Sequence, residues 1–338
     1  MSELAQIVKK LLEGSKGILA ADASTPTLTK RFEKIGIEST GETRRRFRQL
    51  LVTTPNLERY IGGVILYDET IHQNTDDGIN FAEYITNRAI ISGIKVDQGT
   101  EPFGESEEEK VTKGLEGLGE RLSEYKGLGA KFTKWRAVIT IGEGIPTREC
   151  IEANADILAQ YAHENQEKGL LPIIEPEVLI DGDHSIEKCE EVTKETLKVV
   201  FDSMTKYGVD VTGIILKPNM VLPGKDSGQI VSNEEIAKTT IRALRNSVPT
   251  EVPAVVFLSG GQDAISATER LNEICKGKNN LPWEISFSFE RALEGPVMEI
   301  WKGRQENIFS AQKALLHRAK MNSLARKGEY KKELEDEQ

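Results

Sequence analysis

Eight short apolar runs rich in Ile, Val and Leu, separated by stretches that repeat apolar residues at i, i+3 and i+4, constrain this chain more than any other feature. They fall at 17–22 (GILAAD), 62–67 (GGVILY), 93–97 (GIKVD), 134–141 (KWRAVITI), 171–175 (LPIIE), 213–217 (GIILK), 254–259 (AVVFLS) and 284–288 (EISFS). Strand then helix, eight times, is the pattern of a closed parallel (β/α)₈ barrel, the TIM barrel. An open doubly wound sheet is the main rival. It carries a glycine fingerprint after its first strand, whereas here that turn reads Ala23-Ser24-Thr25-Pro26.

The pattern predicts helices over 149–168, 186–207 and 232–246, with Asp183 and Ser232 as N-caps and Glu235 completing a capping box. The 338 residues fit one barrel with insertions, so we expect a single α/β domain over 1–338 with its core at about 17–320. Two segments interrupt the rhythm. Residues 99–131, rich in Gly and Glu, read either as a site-building loop or as a solvated insertion, and 218–229 form a Pro/Gly loop after the sixth strand. The charged tail at 331–338 reads as a frayed helix end.

Acidic residues outnumber basic ones by 54 to 44, a net charge of −10 that argues against a general partner in nucleic acid or anionic membrane. Apolar stretches such as 254–258 fall far short of the roughly 18 residues of a spanning helix, and 1–14 alternates apolar residues with charge instead of forming a signal core. A cytoplasmic protein is expected. The three cysteines are odd in number and lie outside any C-x-x-C, which suits a reducing compartment.

In such a barrel, reactive groups project from the carboxyl ends of several strands. That filter collects Asp22, Lys95, Glu175, Lys217, Ser259 and, just past the eighth strand, Arg291. Lys217 reads either as a strand-end lysine snorkelling to solvent or as an amine nucleophile that forms a Schiff base with a carbonyl. Lys134 and Arg136, two apart on one strand and so facing the same way, supply positive charge that favours the free amine.

Glu175-Pro176-Glu177 sets two carboxylates on one side of an extended segment. They read either as exposed loop carboxylates or as a proton-transfer pair in which one pKa is pushed up. Ser259-Gly260-Gly261 is expected to converge its N–H groups at a helix N-terminus as a phosphate cradle, with a similar turn at Ser288 and Arg291 gripping phosphate bidentately. The alternative is an ordinary Gly-Gly turn. Four histidines with no H-x-H or H-x-x-x-H pair suggest no metal site, and 224–227 (GKDS) lacks the first glycine of a Walker A loop.

These residues, in this order, resemble the class I (Schiff-base) fructose-1,6-bisphosphate aldolase family from about Ile7 to about Tyr330. The likeness is carried by GILAAD-ST at 17–25, GIKVD-G at 93–99, KWR at 134–136, EPE and DGDH at 175–184, LKPNMV-PG at 216–224 and LSGGQ at 258–262. The resemblance implies that Lys217 forms the imine, Lys134 assists carbinolamine formation, Glu175 carries protons with Glu177 beside it, and Asp22 orients the substrate. It implies one phosphate held by Ser259, Gly260 and Arg291, with Lys95, Arg31, Ser24 and Thr27 reaching toward the other end. The implied reaction is reversible cleavage of fructose 1,6-bisphosphate to dihydroxyacetone phosphate and glyceraldehyde 3-phosphate in glycolysis and gluconeogenesis, with no metal or other cofactor. Sedoheptulose 1,7-bisphosphate or fructose 1-phosphate is the alternative substrate, and a non-catalytic scaffold the remote one. A homo-oligomer, by resemblance a tetramer, is expected.

The chain departs from the family pattern at Ala23, where glutamate is usual, at Thr27 for serine, Gln98 for lysine and Glu290 for glycine. Glu290 puts a carboxylate next to a phosphate site, which repels the phosphate unless the side chain turns outward. The longer tail with a terminal tyrosine found in animal members is not seen after Tyr330.

Overall fold

The computed structural model describes residues 3–277 and 280–336. Ten strands occur in chain order: β1 Gly17–Ala20, β2 Ile61–Leu66, β3 Ile91–Lys95, β4 Thr100–Phe103, β5 Ser106–Thr112, β6 Phe132–Ile139, β7 Leu171–Val178, β8 Ile215–Leu216, β9 Ala254–Phe257 and β10 Glu284–Phe289. Eight of them close a barrel in the order β1-β10-β9-β8-β7-β6-β3-β2. Every barrel pair is parallel, as the alternation of strand and helix requires.

Each of the eight apolar runs forms its barrel strand, although β8 is only two residues long. Pro218 ends it by removing a donor, and a 3₁₀ turn at Val211–Gly213, capped by the Asp210 carboxylate, replaces its expected start. The expected helices appear as Arg148–Glu167, Ile186–Lys206 and Asn233–Ser247. Ser232 caps the last, accepting from the Glu235 N–H, but the Glu235 carboxylate accepts from Thr239 instead of closing a capping box. The cap of the second is Ser185, not Asp183.

Residues 99–131 are the solvated insertion: an antiparallel β4–β5 hairpin that is mostly exposed, followed by the helix Leu118–Gly127. Only Gly99 and Thr100 of this segment reach the central cavity. The 218–229 loop is pinned to the 180–184 segment, with the N–H groups of Lys225 and Asp226 donating to Ile180 and Gly182. Gly224 permits that approach, since a Cβ there would lie 2.3 Å from the Gly182 carbonyl oxygen. The tail is docked and not frayed: in the turn Lys332–Glu335, the Glu335 carboxylate accepts from Arg318, His317 and Tyr330. Residues 337 and 338 of the 331–338 segment lie outside the described residues.

Strand alternation sends two sets of side chains to two cores. Leu19, Val64, Ile94, Trp135, Ile174, Leu216 and Val255 face the surrounding helices, while Ile18, Ala20, Ile65, Phe132, Leu171, Ile173, Ile215, Ala254 and Val256 fill the amino-terminal half of the barrel. Gly93 makes room for this plug, as a Cβ there would lie 2.4 Å from the Phe132 ring.

Candidate active site

Following the inward face of each strand toward its carboxyl end, the residue type changes. On β1 and just beyond, Ile18 and Ala20 are followed by Asp22; on β6, Phe132 by Lys134 and Arg136; on β7, Leu171 and Ile173 by Glu175 and Glu177; on β8 and beyond, Ile215 by Lys217. The period of two thus delivers these charged groups into one cavity of about 720 Å³ at the carboxyl end of the barrel. Asp22, Lys134, Glu175 and Lys217 are all buried.

Burial of charge demands pairing, and here the pairs are fused into one network. Glu175 is its hub: one carboxylate oxygen lies 3.1 Å from Lys217 Nζ and the other 3.3 Å from Lys134 Nζ. Lys134 also lies 2.6 Å from Asp22. Burial opposes the charge on Lys134, but Asp22, Glu175 and Asp97 outweigh it and hold the ammonium protonated well above its ordinary range. Burial likewise works against ionised Glu175 and Asp22, yet Lys134 and Lys217 keep both carboxyls below their usual values.

This corrects the expected carboxylate pair. Glu175 and Glu177 share a side of β7, but Arg136 claims Glu177 at 2.5 Å while the lysines claim Glu175, so the Glu175 pKa is lowered instead of raised. Arg136 is itself held protonated: burial is outweighed by Glu177 and Glu175. Lys95 is engaged by Asp97, its Nζ donating to that carboxylate at 2.5 Å.

A profile of the fructose-bisphosphate aldolase class-I family matches residues 3–338. A probable fructose-bisphosphate aldolase class 1 of Xanthomonas campestris is 48% identical over 332 residues, spanning 98% of this chain and 99% of that protein. The cytosolic fructose-bisphosphate aldolase 4 of Arabidopsis thaliana is 49% identical, over 94% of this chain and 80% of its own. Among solved structures, the Plasmodium falciparum fructose-bisphosphate aldolase, in complex with TRAP and a small-molecule inhibitor, superposes with a TM-score of 0.95 at 44% identity, covering 97% of this chain and 95% of that one. The chain belongs to the class I fructose-bisphosphate aldolase family. It is accordingly an enzyme, a lyase, built on a (β/α)₈ barrel.

The remaining expected residues of this aldolase reach the same cavity, with one exception. Ser24, Thr27, Arg31, Lys95, Arg136, Ser259, Gly260, Ser288 and Arg291 line it. Gly261 lines instead a small neighbouring void, where a Cβ would lie 2.5 Å from the Lys225 side chain. The loop after β9 is not a helix N-terminus as expected, because the helix Ala264–Lys276 starts later and Asp263 already accepts from the Ile265 and Ser266 N–H groups. Ser288 lies within β10, not in a turn, and its buried hydroxyl has no hydrogen-bond partner among the described residues. Arg291 opens the helix Arg291–Trp301 and donates to the Gly260 carbonyl, tying the β9 and β10 loops together.

Two helices add lining residues that the sequence reading did not single out. The helix Thr25–Lys34 adds Lys30 and Lys34 to the expected Thr27 and Arg31, and the helix Arg291–Trp301 adds Glu294, Gly295, Met298 and Glu299 to the expected Arg291. The first set follows i, i+3, i+4, i+7 spacing and the second i, i+3, i+4, i+7, i+8, which was the available signal. Asp97 is the third omission, two residues past Lys95 on the same face. No group of three or more His, Cys, Asp or Glu among the described residues is placed to hold a metal ion.

Proposed function

We propose that this aldolase reversibly cleaves fructose 1,6-bisphosphate through a Schiff base on Lys217, acting in the cytoplasm in glycolysis and gluconeogenesis. The observation that carries the reading is the position of Glu175, a carboxylate within reach of two buried amines. Lys134 is the amine held as an ammonium by Asp22 and Glu175, and Lys217, 3.1 Å from Glu175, is the nucleophile once it has passed a proton to that carboxylate. The free Lys217 amine attacks the C2 ketone to give a carbinolamine, and loss of water, with protons carried by Glu175, gives the protonated imine.

Cleavage follows when a base removes the C4 hydroxyl proton. The C3–C4 bond breaks, the aldehyde leaves, and the bond electrons pass to the imine as an enamine. Protonation at C3 and hydrolysis then release dihydroxyacetone phosphate and restore Lys217. Asp22, paired to Lys134, orients the substrate hydroxyls. Ser259, Gly260, Ser288 and Arg291 hold one phosphate, with the unpaired Ser288 hydroxyl as a ready donor, while Lys95, Arg31, Ser24 and Thr27 serve the other end. In this reading the whole chain acts as one barrel domain, as a homo-oligomer that light scattering would count.

The reading is tested by a coupled assay of both triose phosphates. Cleavage of fructose 1,6-bisphosphate is expected to be unchanged by EDTA, and loss of activity restored by zinc would contradict the Schiff-base route. Comparing kcat/KM with sedoheptulose 1,7-bisphosphate and fructose 1-phosphate ranks the alternatives.

A further inference from the structure

The cavity holds a carboxylate, Glu290, to which the reaction gives no part. Glu290, at the start of the helix Arg291–Trp301, turns its carboxylate inward, and one oxygen lies 2.8 Å from Arg31 Nη2. One turn on, Glu294 lies 3.6 Å from the other terminal nitrogen of Arg31 and 3.3 Å from Arg48. Burial pushes the Glu294 carboxyl up to about 8, and Glu290 makes the shorter contact with Arg31. By contrast, Lys30, Lys34 and Arg291 line the same cavity with no carboxylate partner among the described residues. An entering phosphate therefore meets no competing carboxylate at those three cations and one at Arg31.

We propose that Glu290 is a built-in competitor for phosphate at Arg31, and that it selects against ketoses carrying a phosphate at that end of the cavity. The proposal rests on the aldolase reading above and names its specificity-determining residue. Phosphate must displace the Glu290 carboxylate or bind next to it, and either cost falls on a bisphosphate while sparing a sugar with a hydroxyl at that position. The pocket thereby narrows the gap between a ketose 1,6-bisphosphate and a ketose 1-phosphate.

The test compares wild type with Glu290→Gln and Glu290→Gly, using fructose 1,6-bisphosphate, fructose 1-phosphate and inorganic phosphate. Both variants are expected to raise kcat/KM for the bisphosphate about tenfold, and to leave the monophosphate within about twofold, as loss of one close repulsive charge dictates. Phosphate affinity measured by calorimetry rises in parallel. Glu299→Gln removes the same charge from an exposed position on the rim without touching Arg31, and is expected to shift the ratio less than about twofold. An unchanged substrate ratio in both Glu290 variants, or an equal shift in Glu299→Gln, overturns the proposal. If wild type cleaves neither sugar, the functional reading fails instead, and the phosphate titrations alone decide whether Glu290 competes for Arg31.

Discussion

The two ends of this barrel are made by the same strands and obey opposite rules. At the amino end, Ile18, Phe132, Ile173 and Ile215 point inward and close the barrel with an apolar plug; two or four residues later the same faces carry Asp22, Lys134, Glu175 and Lys217. The plug gains free energy by excluding water. The charged end bears the cost of buried charge, offset by pairing every catalytic group to another. The contrast teaches that stability and chemistry are separated by less than two turns of pleat, so that each can be changed without the other.

The sharpest way to break that separation is Lys217→Ala. Turnover is expected to fall by about 10⁴-fold or more, while the melting temperature stays within a few degrees, about what a small stability change gives. Calorimetry together with the triose assay checks both halves, and unfolding of the variant would show that the charged end also holds the barrel together. Phe132→Ala is the converse. It is expected to cost about 3–5 kcal/mol of unfolding free energy, because Phe132 fills the plug against Gly63 and Gly93. In denaturant titration and kinetics at low temperature, kcat per folded molecule stays within about twofold.

A pH-dependent effect sharpens the boundary between the two ends. Burial raises the Glu294 carboxyl to about 8 in the folded chain, against 4.5 when unfolded, with Glu290 and Asp22 adding to the rise and Arg48 and Arg31 opposing it. The folded state then binds this proton more tightly than the unfolded one. Stability falls as pH climbs from about 5 to 8 and levels off above, by at most about 1.4 kcal/mol per pH unit. Glu294→Gln is expected to flatten that slope in urea titrations across this range. An identical slope in wild type and variant would remove Glu294 as its source.

Much of this was legible in the sequence because both signals are local. Apolar β-branched runs marked every barrel strand, and the period of two put Lys134 with Arg136 and Glu175 with Glu177 before any contact was known. What escaped depends on neighbours distant in the chain. The direction of the Glu175 shift is set by Lys134 and Lys217, which reach it from two other strands, and not by Glu177 two residues away. The Arg31, Arg48, Glu290 and Glu294 cluster joins segments about 250 positions apart. The helix cap falls at Ser185, two residues past the expected Asp183, next to the Ile186 N–H that donates to Gln229 from a later loop. The docked tail likewise owes its order to Arg318 and His317 on the preceding helix, which no composition rule for charged termini anticipates.

Borohydride trapping tests the central claim most directly. The enzyme is mixed with dihydroxyacetone phosphate, reduced and mapped by peptide mass spectrometry. The account predicts one stable adduct, on Lys217, absent when borohydride is added before the sugar. An enzyme that turns over its substrate yet leaves Lys217 unmodified, or carries the adduct on Lys134 instead, would contradict it.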